Sequence, residues 1–327
     1  MKPIRLMTYR NGSAIPTLPE QSLSNSSELF QVYGQTPGYT PILVVASIDE
    51  TPIAKLQAVI RRSVRIFPPS LIKRCEIFGI GEYFNDTYSQ EELFGLMLEH
   101  LTNEVLKDCF LIEFRNLPTA LFGYKHFRRN GYFPINWIRV YNSLHNLSPE
   151  ERLESKRKRQ INRSFKYGVT LQEVQTEEDK KTFLQLLKLH YSSKLRKHFP
   201  DTKLFQLLTQ GSTTGSISRI FIVKYKNIII GGSFCMYSCD RAYLCFSFGL
   251  RKTFAWLHPN TMAIWAALID AYQRGYPHFE FIDAGLPFQK VGYRNFILSF
   301  GGKQVSTRRW FRFRWEWINK LFTKLYQ

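Results

Sequence analysis

Acid is scarce in this chain: 26 Asp and Glu stand against 45 Lys and Arg, a formal net charge of +19. Such a surplus predicts a surface field that draws phosphates, nucleic acid or anionic lipid headgroups, and does not choose among them. Cysteine is equally sparse. Cys75, Cys109, Cys235, Cys239 and Cys245 make an odd count with no CxxC pair, which argues against a disulfide framework and fits a reducing cytoplasm. All five lie in segments that read as strands, so buried free thiols are expected. Cys235 and Cys239 have no nearby histidine pair to complete a zinc site, and no metal is expected. Long apolar runs are missing too. The longest, such as Pro41 to Ile48, fall far short of the roughly 18 residues a membrane-spanning helix needs. The opening MKPIRLMTYRNGS lacks the apolar core of a signal peptide. No GxSxG elbow, Walker loop, HExxH or GxGxxG after a strand is present, which removes those hydrolase, nucleotidase, metalloprotease and dinucleotide chemistries.

What is present points to a folded chain. Hydrophobic residues make up 44% of the 327 and aromatics 15%, enough to fold nearly the whole length as two domains of ordinary size or one large one. Residues 1–40, rich in Ser, Pro, Gly and Thr, read as an irregular leader with one short helix near Ser27 to Val32. A hairpin then follows, Ile42 to Ile48 and Ile53 to Arg61 around Asp49-Glu50-Thr51-Pro52. Next come a strand at Arg74 to Ile80 and a helix at Gln90 to Lys107 with Leu93, Leu96, Met97, Leu101 and Val105 on one stripe. A strand at Cys109 to Phe114, a helix at Thr119 to Arg129 and a strand at Tyr132 to Tyr141 complete this half.

The second half repeats the order. Ile220 to Lys224 and Ile228 to Met236 flank a Lys226-Asn227 turn, and Ala242 to Phe248 follows the next turn. Then come a helix at Asn260 to Gln273, a strand at Phe279 to Asp283, a helix at Val291 to Ser299 and an alternating strand at Gln304 to Phe313. Antiparallel strands leading into a strand-helix-strand crossover predict an α/β, mixed-sheet fold present twice in tandem; this is the strand plan of a GNAT domain and is shared by other α/β folds, so the choice between them falls to the motifs. The expected layout is a first GNAT-like domain over 41–147, a basic connecting helix over 148–168 and a second GNAT-like domain over 169–327. Ser148-Pro149-Glu150-Glu151 opens the connecting helix as a capping box and Gly168 ends it. Arg152, Lys156, Arg159, Arg163 and Lys166 fall on one helical stripe with Arg157 and Lys158 beside it, either a solvated face or a surface for a phosphate-rich partner.

The segment Arg159 to Val169 resembles the basic helix-to-strand segment that opens the second domain of FemAB-type transferases. Further pieces fall in that family's order: Gly231-Gly232-Ser233-Phe234, Pro259 to Tyr272, Gly275-Tyr276, Phe281-Ile282-Asp283-Ala284-Gly285, and Phe296 with Phe300-Gly301-Gly302. The resemblance covers Arg159 to about Gly302 through these motifs and residues 42–141 through architecture alone. It implies a tandem GNAT fold that passes an acyl or aminoacyl group to an amine, from a coenzyme A thioester or a charged tRNA. Two departures stand out. Many relatives carry Phe-Lys just before the Phe-Gly-Gly, whereas Ile297 follows Phe296 here, which puts aminoacyl-tRNA as donor in doubt. The turn that is glycine-rich in typical GNAT enzymes reads Thr253 to Asn260 here, an absence of glycine that FemAB-like proteins share, with amides ahead of Thr261 and Met262 available for an anion and Phe254, Trp256 and Leu257 making the approach bulkier.

Amide formation needs a neutral amine, an acceptor for its proton and donors aimed at the developing oxyanion. Asp283, at the C-terminal end of a predicted parallel strand, is the first candidate for an acceptor-orienting or proton-accepting carboxylate, with a helix cap as the alternative. Tyr293 and Arg294 would border the same crevice and grip a carboxylate, phosphate or carbonyl, or else lie on the ordinary surface. Lys290, Arg294 or Lys303 can stand in for the missing family lysine as a cation, though arginine only stabilises charge. His190, Tyr191 and Lys194 occupy the helix that walls the acceptor site in the family, and His190 reads equally as a surface histidine. Arg159, Arg163 and Lys166 are expected to hold an anionic substrate, and Phe248, Gly249, Leu250, His258, Asn260 and Thr261 to hold the donor. The tail Arg308 to Phe322 interleaves basic and aromatic residues. Core packing is its first reading and reversible docking to a bilayer its second. The expectation is an acyltransferase that acts on a large anionic acceptor, such as a cell-envelope or polysaccharide precursor, in the cytoplasm or at the inner face of the membrane. The rival reading is a non-catalytic nucleic-acid or membrane-surface binder on the same fold.

Overall fold

The computed structural model describes residues 3–12, 15–62, 73–117, 119–192, 199–210, 217–282, 284–289 and 292–326. In chain order its strands and helices begin with β1 (Arg5–Arg10), α1 (Ser27–Gln35), β2 (Tyr39–Ile48), β3 (Thr51–Arg62), β4 (Lys73–Phe78) and β5 (Glu82–Tyr83). They continue with α2 (Gln90–Val105), β6 (Leu111–Arg115), α3 (Tyr124–Arg129), β7 (Phe133–Ser143), α4 (Pro149–Arg152), α5 (Ser155–Lys166) and β8 (Thr170–Glu173). The rest are α6 (Glu177–Ser192), α7 (Thr202–Gln210), β9 (Ser218–Tyr225), β10 (Ile228–Ser238), β11 (Arg241–Gly249), α8 (Pro259–Gln273), β12 (His278–Phe281), α9 (Gly292–Leu298), β13 (Lys303–Phe313) and α10 (Glu316–Tyr326). They form two units, one of residues 1–137 with 306–327 and one of 138–305.

In the first unit β1, β2, β3 and β4 run antiparallel in sequence, β6 joins β4 in parallel, and β13 closes antiparallel on β6. The parallel step needs a crossover, and α2 supplies it. Its Leu93, Met97, Leu101 and Val105 are fully buried against Ile42, Val44, Leu56, Ile77 and Phe114. Leu96, expected on that stripe, points to solvent instead, because the buried arc is carried by Phe94 and Leu98. The β2–β3 turn places Asp49 and Glu50 at φ of 46° and 66°, the two-residue hairpin geometry whose twist matches the flanking strands.

The second unit repeats the plan. β8, β9, β10 and β11 are antiparallel neighbours, β12 joins β11 in parallel across α8, and residues 140–143 of β7 close antiparallel on β12. Lys226 and Asn227 form the tight β9–β10 turn at φ of 47° and 63°. α8 is apolar nearly all round, as a helix must be when it lies under β10 and β11 on one side and against α5 on the other. Two glycines let β10 pass beneath its neighbours: a Cβ on Gly232 would stand 2.5 Å from Phe221 O, and one on Gly231 3.0 Å from Phe248 O.

Four expectations need correction. The leader is not irregular: β1 pairs residue for residue with β2, Arg5 opposite Ser47 through Arg10 opposite Ile42, and α1 brings Phe30 onto Leu43 and Val45. Its short, mostly polar alternation left little periodic signal. The connecting helix is broken, α4 ending at Arg152 and α5 starting at Ser155, because Leu153 is extended and Glu154 donates its amide to Ser299 O. The closing strands are exchanged between the halves: residues 140–143 of β7 pair in the second unit, while β13 from Trp310 to Phe313 pairs with β6 in the first. Trp310 settles the latter, fully buried and stacked on Phe127 at 4.6 Å. The tail therefore belongs to the first unit and not to a domain over 169–327. Finally, Cys239 is exposed in the β10–β11 turn, whereas Cys75, Cys109 and Cys235 are buried.

Candidate functional site

In the second unit the sheet opens beyond Leu244 of β11. The parallel ladder between β11 and β12 stops at Leu244 opposite Phe281, but β11 runs on to Gly249. Among the described residues no strand pairs with Cys245 to Gly249 on that side, so a row of backbone donors and acceptors is left for something else to satisfy. The opening coincides with a β-bulge. Phe234 faces Phe246 while Cys235 faces Leu244, so Cys245 is the extra residue on β11. A bulge bends its strand and re-aims the backbone groups around it.

The far end of the exposed stretch meets the start of α8. A Cβ on Gly249 would lie 2.1 Å from Asn260 Oδ1 and 2.6 Å from its backbone nitrogen, so only glycine lets the helix come this close. His258 precedes α8 in the left-handed conformation at φ 46°, and Pro259 occupies the first helical position. The amides of Thr261 and Met262 both donate to His258 O. The backbone amides expected to hold an anion here are therefore partly committed, and the positive character rests on side chains. Arg163 and Arg157 on α5 act electrostatically on His258, which burial and both guanidinium groups hold below its ordinary value. α5 is tied to this end by Ser164 Oγ, which donates to Leu257 O at 2.9 Å, and by Thr261 Oγ1, which donates to Gln160 Oε1 at 3.2 Å.

On the other face of β11, α6 contributes His190 and Tyr191. The His190 ring lies 6.3 Å from that of Phe248, and the Tyr191 hydroxyl donates to Ser247 O at 3.5 Å. Burial pushes the Tyr191 phenol up to about 12 and the Cys245 thiol up to about 12. Both stay protonated near neutral pH: Tyr191 can donate a hydrogen bond, and Cys245 is not a thiolate nucleophile.

The structure thus brings together Phe248, Gly249, Leu250, His258, Asn260 and Thr261 at one end, Arg163 beside them, and His190 with Tyr191 across the strand. Arg159 and Lys166 stay on the exposed face of α5, where with Lys156 and Lys158 they pair with no carboxylate among the described residues. Arg294 does not border the opening as a free grip. It is buried, and its guanidinium donates to Ala284 O at 2.9 Å, Pro287 O at 3.1 Å and Leu286 O, fastening the segment after β12. Tyr293, on the same short helix, packs against the core of this unit. Asp283, Lys194 and Lys290 lie outside the described residues. Ile297 is fully buried in the core, so the position where relatives carry lysine is a packing position in this chain. Of the double glycine, Gly301 at φ 86° sits where a Cβ would be 2.5 Å from Arg152 Cβ, and Gly302 where one would be 2.8 Å from Val140.

Sequence reasoning placed Arg157 beside the cationic stripe and missed its work. Its guanidinium lies 4.5 Å above the Phe296 ring and donates to Ser299 Oγ at 2.6 Å and to Gln160 Oε1 at 2.6 Å. The spacing of Phe296, Ser299 and Phe300 at i, i+3 and i+4 was the available signal. Trp256 was read only as bulk; it stands edge-on to Tyr167 at 5.1 Å and to Tyr225 at 5.5 Å, leaving an exposed aromatic flank beside α8.

Residues 155–290 match the family described as Acetyltransferase (GNAT) domain. No curated protein matches the chain in sequence. Among solved structures, FemX is similar over 93% of this chain and 94% of its own, with a TM-score of 0.64 and 11% identity. A tandem GNAT protein from the clavulanic acid biosynthesis pathway is similar over 86% and 85%, with a TM-score of 0.55 and 10% identity. The C-terminal domain of a putative lysylphosphatidylglycerol synthetase from Agrobacterium fabrum is similar over 82% and 83%, with a TM-score of 0.52 and 13% identity. At such identities the likeness is one of fold. Residues 155–290 match a GNAT acetyltransferase domain model, and the chain as a whole is similar in fold to FemX and to a tandem GNAT protein.

Proposed function

We propose that the chain forms an amide on an amine of a large anionic acceptor, such as a cell-envelope or polysaccharide precursor, using an acyl-coenzyme A thioester or an aminoacyl-tRNA as donor. The observation that carries this reading is the stretch of β11 from Cys245 to Gly249, which on the β12 side pairs with no strand among the described residues and ends against a helix start flanked by Arg163 and Arg157. An extended donor arm satisfies the open strand edge as an added strand does, while its phosphates meet the two arginines and His258. The acyl carbonyl then lies against the bulge, where re-aimed backbone groups are positioned to take the oxyanion. The amine attacks that carbon, a C–N bond forms and the C–S or C–O bond to the donor breaks. The ammonium proton passes to a carboxylate or water, for which Asp283 is the candidate, and the leaving thiol or hydroxyl is protonated. Tyr191, neutral at working pH and donating to Ser247 O, holds the α6 wall against β11. The name of one structural neighbour, a lysylphosphatidylglycerol synthetase, supports an anionic acceptor.

The test is a transfer assay with acetyl-coenzyme A and with charged tRNA on envelope precursors, read by mass spectrometry. Product with one donor identifies the branch. No product with either, alongside tight and steeply salt-dependent RNA binding, would favour the non-catalytic reading, for which the +19 charge is the motive. Arg163→Ala should raise the donor KM by about tenfold with kcat little changed, the mark of a contact made equally in ground and transition states.

A further inference from the structure

The last helix of the first unit presents two unlike faces. Inward, Phe322 of α10 lies 4.9 Å from the Phe313 ring and 6.1 Å from that of Phe133, and Asn319 donates to Gly131 O at 2.8 Å while accepting from Phe313 N. Outward, Trp317, Leu321 and Leu325 follow one another at i, i+4 and i+8 and are 68%, 52% and 67% exposed. Each lies on the same side of the helix as Lys320 and Lys324, both exposed. Just ahead, Trp315 is exposed and stacked on Trp317 at 6.5 Å and 9°. A lone exposed leucine needs no explanation, but a continuous row of three large apolar side chains does.

We propose that this outer face of α10 docks the protein on the surface of an anionic bilayer, the helix lying in the headgroup plane with Trp317, Leu321 and Leu325 turned into the acyl boundary. Charge selects the occupant. Arg314, Lys320 and Lys324 border the row, and Gly131, to which Asn319 is bonded, lies two residues past the α3 end that carries Arg128 and Arg129. The one acid on α10, Glu316, is already paired with Arg312 at 2.7 Å. A second copy of this chain would set cations against cations. A nucleic acid would answer the charge but gain nothing from two leucines. Anionic headgroups over hydrocarbon satisfy both halves of the pattern, and tryptophan at the boundary suits its apolar ring and polar N–H. Each border cation contributes on the order of 1 kcal/mol near an anionic surface. The inference is independent of the transfer chemistry: it uses no residue of the candidate site.

The experiment is co-sedimentation of the full chain with phosphatidylglycerol-rich vesicles and with pure phosphatidylcholine vesicles, at low and high salt. The wild-type chain should bind the anionic vesicles and lose them as salt rises, with little binding to phosphatidylcholine. Trp317→Ser with Leu321→Ser should weaken binding by about tenfold or more while leaving the melting temperature unchanged, since both side chains face solvent. Lys320→Glu with Lys324→Glu should weaken it separately. No binding of the wild-type chain to anionic vesicles overturns the proposal, as does binding that survives the Trp317 and Leu321 exchange. So does concentration-dependent self-association, or tRNA binding, that the same exchange abolishes.

Discussion

Lys55 and Glu82 carry opposite charges 3.1 Å apart at 2% and 3% exposure, deep beside β3. Burial of an ion is tolerable only when its remaining hydrogen bonds are met. Here Lys55 also donates to Pro19 O at 2.6 Å, and Glu82 accepts from the Ser22 amide at 2.6 Å and the Ser22 hydroxyl at 2.7 Å. The pair therefore fastens residues 19–22 to the first unit. Lys55→Met should cost about 3 to 5 kcal/mol in denaturant unfolding by leaving a buried carboxylate alone, and adding Glu82→Gln should recover part of the loss. His258 is a second residue with a clear sign. Its folded-state value lies below the ordinary 6.5, so on acidification the unfolded chain takes up the proton first. Stability then falls as pH drops below about 6.5, and His278, held low by burial and Arg241, adds to the trend. Thermal melts across that range should show the slope, and His258→Asn should flatten it. The imidazole titration followed by NMR should have its midpoint below 6.5 and move up when a polyphosphate ligand occupies the start of α8.

The elements show why the site has its form. α8 reaches the strand end because Gly249 has no side chain, so Gly249→Ala must push the helix start away or strain the strand. It should lower the melting temperature by several degrees and abolish transfer, whereas Gly168→Ala, with open space around it but a left-handed φ of 83°, should cost stability alone. The hairpin strands, their turns and α8 were legible in the sequence because each announces itself locally, through alternation, paired turn residues or an apolar run, whereas the short β1, β5 and β8 were not. The capping box at Ser148 and Glu151 formed as read. Partner choice was not legible. β7 and β13 look like the closing strands of their own halves, and only contacts far apart in sequence, such as Trp310 on Phe127 and Arg139 on Glu280 at 2.6 Å, send each to the other. The site was half legible. Residues at the ends of β11 and α8 follow from strand and helix order, but Arg294 gives no sign in sequence that three carbonyls will claim it.

For the molecule as a whole, the two units are not two consecutive stretches of chain, since residues 306–327 complete the one that residues 1–137 begin. Synthesis runs in one direction, which sets a timetable. Residues 138–305 emerge in roughly 10 to 30 s at ordinary elongation rates. Throughout that interval β6 lacks β13, and Phe127 lacks the ring of Trp310. The later segment can thus reach its native state while the earlier one still waits, the reverse of the usual order in which domains mature on the ribosome. Nascent chains stalled soon after the ribosome has released residue 305 should show protease resistance across 138–305 and cleavage within 1–137. Until residues 306–327 have been made, the first unit keeps the edge of β6 open.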